Sequence, residues 1–108
     1  MAPPVALARK LITLVHKGLG SKVEVELDGR GDLLLSSTID RLVMVEIKVS
    51  QAGGQREVIH RIMPVFTTMQ TDRAEATGKV MIEVARRVER LLPVMESYVN
   101  SDQYDIAV

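Results

Sequence analysis

The sequence predicts an α+β fold: an antiparallel meander of three or four strands, flanked on one face by an N-terminal helix and a longer C-terminal helix. Three observations carry this. Apolar residues recur at helical spacing near both ends, apolar and polar residues alternate through the middle, and short turns separate the alternating runs. With 108 residues the chain fits one domain, taken as 1–99 with an exposed tail at 100–108. Hydrophobic residues are 46% of the chain and aromatics 3%, so the core must be built from Val, Leu, Ile and Met.

Pro3 and Pro4 suit the first turn of a helix, where a missing N–H costs nothing. Val5, Ala8, Leu11, Ile12 and Val15 then recur at helical spacing, and Gly18 or Gly20 can end a helix over roughly 4–17. From Lys22 to Asp28 the chain alternates, with Val23, Val25 and Leu27 against Lys22, Glu24, Glu26 and Asp28. Gly29 to Asp32 turns it into a second strand, Leu33–Thr38, and a tight connection leads to Leu42–Ser50, the strongest strand pattern. Arg56–Met69 fits a helical period and also a strand with an edge proline at Pro64. The short Gly53-Gly54 turn before it favours a fourth strand. Asp72 can cap a final helix over about 73–97, which Pro93 should kink or end.

Basic and acidic residues balance at 14 each, so there is no general pull toward nucleic acid or anionic membranes. The absence of cysteine removes thiolate metal sites, disulfides and cysteine nucleophiles, and fits a cytoplasmic location. No apolar run approaches the ~18 residues of a membrane span. Before Glu24 the chain has Arg9, Lys10, Lys17 and Lys22 and no acid. Such a start can be an organelle presequence; the reading taken here is an ordinary first helix.

Chemistry-bearing patterns are sparse. His16 and His60 fall in different elements without acidic neighbours at ligand spacing, so no metal site is expected, and no cofactor either. No serine sits in a nucleophile elbow, and no glycine loop resembles a phosphate cradle. Asp32, Asp40 or Glu46 would have to meet in space to make an acid–base pair. Arg30-Gly31-Asp32 spells the integrin-recognition tripeptide, but it is also what a hairpin turn requires, and it is read as a turn.

Arg86, Arg87 and Arg90 cluster on the final helix and are the residues a nucleic-acid interface would use. Glu83 and Glu89 lie among them, and aromatic stacking platforms are lacking, so nucleic acid binding is not expected. Lys22–Lys48 resembles the first motif of Sm-like RNA-binding proteins. A short helix precedes alternating Val23, Val25 and Leu27, Asp28-Gly29 makes the turn, and Asp40 precedes an apolar strand at about the family's spacing. Leu34 or a neighbour replaces the family's second-strand glycine. Val43 or Met44 replaces the asparagine that shapes its base pocket, and the long C-terminal helix departs from its outline. The resemblance implies an RNA-binding module as the alternative function.

Two features point to protein partners. The final helix carries a wide apolar stripe through Val80, Met81, Val84, Val88, Leu91 and Leu92. One side of it is expected to pack on the sheet and the other on a second copy. Ile106 and Val108 alternate in the tail and can add to the sheet edge of a partner. The function expected is a non-enzymatic interaction or assembly module, a homodimer or a subunit of a larger complex. A small enzyme with its site at an oligomer interface is the third reading.

Overall fold

A computed structural model describes residues 4–52, 55–66 and 71–100. The element order is α1 (Pro4–Leu19), β1 (Val23–Leu27), β2 (Leu33–Ile39), β3 (Val43–Ala52), β4 (Gln55–Pro64) and α2 (Thr71–Val99). The strands form one antiparallel sheet in the order β1-β2-β3-β4, so the predicted meander is present with four strands. Both helices lie on one face. Leu33, Leu35 and Ile39 of β2 and Val43, Val45, Ile47 and Val49 of β3 point into that layer and are buried. They meet Leu7, Leu11, Val15 and Leu19 of α1 and Val84, Val88, Leu91, Met95 and Val99 of α2. Each such side chain contributes roughly 1.5–3 kcal/mol by leaving water.

α1 places its leucines and Val15 at positions 7, 11, 15 and 19, one face of a 3.6-residue period. It runs two residues past the predicted end and stops where Gly20 takes a φ of 74°, its amide donating to the His16 carbonyl at 2.8 Å. His16 Nδ1 donates to the Ser21 carbonyl at 2.8 Å. From α2, the Arg87 guanidinium donates to the Leu19 carbonyl at 3.2 Å, a cation on the negative end of α1. Close helix approach needs a small residue at Gly18, where a Cβ would lie 3.3 Å from Leu91 Cδ1.

The two short turns use different chemistry. Between β1 and β2, Asp28 Oδ1 accepts from the Arg30 and Asp32 amides at 2.8 and 3.0 Å, and Gly31 takes a φ of 85°. The Arg-Gly-Asp tripeptide is therefore part of a hairpin turn. Between β2 and β3, the Leu42 amide donates to the Ile39 carbonyl across Asp40 and Arg41, whose φ values are 54° and 59°. Two positive φ angles suit the twist of the flanking strands, and Leu42 follows as a third loop residue before the Ile39–Val43 pair. The predicted Gly53-Gly54 turn lies outside the described residues.

The ambiguous segment is β4, and its proline explains why a strand is tolerated. Pro64 ends an edge strand, opposite Val43. Ser37 is buried on the inner face, and its hydroxyl donates to the Lys22 carbonyl at 2.9 Å.

α2 corrects one expectation. Pro93 neither ends nor bounds it: the helix continues through Pro93 to Val99. Pro93 is exposed while Leu91, Met95 and Val99 around it are buried. Packing on both sides outweighs the one backbone hydrogen bond that proline removes. Asn100 is also more than the start of a tail. Its side chain bonds the Arg56 amide and carbonyl, each at 3.0 Å, and donates to the Glu96 carbonyl at 3.1 Å.

Candidate functional site

With both helices on one side, the opposite face of the sheet is open, and its residues follow from the register. One row across the strands is Glu26, Leu34, Lys48 and Ile59; the next is Glu24, Ser36, Glu46 and Arg61; a third is Thr38, Met44 and Met63. Leu34, Met44 and Met63 are half-buried by their neighbours, and Ile59 is 49% exposed. Arg61 Nη2 donates to Glu46 Oε1 at 2.8 Å, and Lys48 Nζ stands 3.9 Å from Asp32 Oδ2. The two glutamates of β1 have no cation partner among the described residues. β1 thus brings two acids to this face, while on β3 and β4 Glu46 and Glu57 offset Lys48 and Arg61.

Charge on this face is held by local geometry. In the turn at its edge, the Arg30 amide, then the Asp32 amide, hold the Asp28 carboxyl below the usual carboxylate range, with Lys48 and Arg30 adding attraction. A cavity of about 220 Å³ lies beside this turn, lined by Glu26, Asp28, Asp32, Leu34 and Lys48.

Half of the α2 stripe expected to meet a second copy is buried inside the chain. Val84, Val88 and Leu91 are buried in the core. Val80, Met81 and Leu92 are partly buried and pack against it. The physical reason is α1: it covers the side of α2 that the sheet leaves free, so the width of the stripe reflects two neighbours in one chain. On the described helix surfaces the exposed large apolar side chains are Ile82 and Val94, at 58% and 50%. Ile106 and Val108 lie outside the described residues.

Arg86, Arg87 and Arg90 do not form one free cationic surface. Arg87 Nη2 donates to Glu83 Oε1 at 2.6 Å while its other arm holds α1. Arg90 lines a groove between the helices with Lys17, Leu14 and Val94. Asp32 and Asp40 stand at opposite ends of β2, and Glu46 faces Arg61 between them, so these carboxylates do not converge. His16 and His60 stay apart, on α1 and β4. Among the described residues no three His, Cys, Asp or Glu side chains gather for a metal ion. None of the described helices is long and apolar enough to cross a membrane.

Two features escaped sequence reasoning: the open face as a surface, and Asn100 as a clamp. The first depends on both helices choosing one side. The second had a signal, since asparagine directly after a helix is a common C-terminal cap. No family model matches the chain, no curated protein matches it, and no solved structure matches it.

Proposed function

We propose that this protein is a non-enzymatic assembly module that pairs with a second copy through the open face of its sheet. The observation behind this is the half-exposed Ile59 on the same open face as Leu34, Met44 and Met63, whose β1 edge carries Glu24 and Glu26. A two-fold axis parallel to the strands sets β1 of one copy over β4 of the other. Glu24 then stands across from Arg61, and Glu26 across from Ile59. Sheets pack face to face at about 10 Å, with inner side chains interdigitated. Opposed charges fix the register of such a pair more than they add to its affinity.

Sedimentation velocity tests this. The chain should sediment as a dimer or larger at tens of micromolar. Ile59→Glu should give a monomer with an unchanged circular dichroism spectrum. A wild-type monomer at that concentration, or an Ile59→Glu chain that still pairs, overturns the reading.

A further inference from the structure

We infer that the groove between α1 and α2 docks an acidic, amphipathic helix of another protein. The groove follows from helical spacing. On α1, Leu14 and Lys17 flank the buried column Leu7, Leu11, Val15 and Leu19. On α2, Arg87, Arg90 and Val94 flank the buried column Val84, Val88, Leu91 and Met95 in the same way. The helices run antiparallel: Leu19 meets Arg87, Gly18 meets Leu91, and Leu14 lines one cavity with Val94. Gly18 has no side chain to fill the space over Leu91, and a cavity of about 460 Å³ opens there.

The lining joins two kinds of surface. Its floor is apolar, with Leu91 buried, Leu14 half-buried and Val94 half-exposed. Its walls are cationic. Lys17 and Arg90 are exposed, and among the described residues neither has an ion-pair partner. Arg87 is paired with Glu83. α1 carries no acid along its length, and Lys10 stands two turns before Lys17 on the same wall. Arg90 follows Arg86 by four residues and Arg87 by three, spacings at which like charges repel. Among the described residues, the positive charge of the groove is thus left unbalanced beside apolar surface.

Charge complementarity sets the sign of the occupant, and shape sets its form. A third helix laid along two antiparallel helices presents residues at i, i+3, i+4 and i+7 to the groove between them. Leucine-sized anchors at those positions would cover Leu14, Leu91 and Val94. Carboxylates beside the anchors would reach Lys17 on one wall and Arg90 on the other. From Lys10 to Lys17 the wall is about 10 Å long, two turns of such a helix. A single-stranded nucleic acid is the poorer match, because no aromatic side chain lines the groove to stack a base. A bilayer is also a poorer match, because its surface meets protruding apolar residues and these form the floor of a concavity. The groove lies on the helix side of the sheet, so it stays open when two copies pair through the other face.

Fluorescence anisotropy with a labelled peptide tests the inference. The peptide has about 16 residues, with leucines at helical spacing and glutamates beside them. A second peptide carries lysines in place of the glutamates. The wild-type chain should bind the glutamate peptide about tenfold more tightly, or more, than the lysine peptide. Lys17→Glu combined with Arg90→Glu should reverse that order and leave the circular dichroism spectrum unchanged, because both side chains are exposed. Arg9→Glu combined with Lys22→Glu makes the same change in net charge outside the groove and should keep the wild-type order. Ile59→Glu should bind like wild type, so failure of pairing through the sheet face and failure of this groove are read separately. The inference is overturned if neither peptide binds at tens of micromolar, if both bind equally, or if the two double variants behave alike. Tighter binding of single-stranded RNA, or of phosphatidylserine vesicles, than of the glutamate peptide overturns it as well.

Discussion

Asp28 shows how a single side chain sets a turn. Its carboxylate replaces water with two backbone amides, those of Arg30 and Asp32. Both bonds favour the charged form, so the folded value lies below the unfolded one. The sign of the linkage follows: the stabilisation is fully present above the ordinary aspartate value of about 3.9 and is lost as pH falls through the lower folded value. The carboxyl carbon of Asp28 should therefore titrate below the ordinary aspartate value of about 3.9 in an NMR pH series, and a midpoint at or above it would contradict the turn. The turn itself was legible, because Asp and Gly at that spacing name it. The Asp40-Arg41 turn was legible only as a tight connection, since neither residue announces two positive φ angles the way Asn-Gly does.

At the scale of elements, α2 and β4 are where local and tertiary signals compete. Arg56–Pro64 satisfies both periods on paper. The register decides for the strand: Val58 and Ile62 oppose Val49 and Val45, completing the inner face. α2 keeps a proline in its interior at an exposed position, where neither ring nor missing N–H serves a described contact. Interior proline costs about 3 kcal/mol relative to alanine. Pro93→Ala should accordingly raise stability by roughly 1–3 kcal/mol in urea unfolding, with the slope unchanged. A neutral or lowered midpoint would mean that the helix is bent at Pro93 in a way the packing of Leu91 and Met95 requires. Element types were thus readable from period and turns, while the end of α2 was not, because it is set by burial of Met95 and Val99.

At the scale of the molecule, the same apolar stripe supports two opposite readings. Spacing alone counts the apolar positions of a helix; it does not say how many neighbours they serve. Here α1 and the sheet share them, and the surface left for a second copy moves to the other side of the sheet, where Glu24, Lys48 and Ile59 lie. Val88 separates these readings. It is 1% exposed, so Val88→Glu buries a carboxylate without a partner, a change at the severe end of single substitutions. Against a total stability of about 5–15 kcal/mol for a domain, the variant should lose its cooperative unfolding transition and its near-ultraviolet signal. Ile82→Glu on the same helix, where the wild-type side chain is 58% exposed, should stay within about 0.5 kcal/mol of wild type. Urea titration followed by circular dichroism distinguishes the two. A Val88→Glu chain that unfolds cooperatively near the wild-type midpoint and merely sediments as a monomer would show that Val88 faces another copy, and would return the contact between copies from the sheet to the helix.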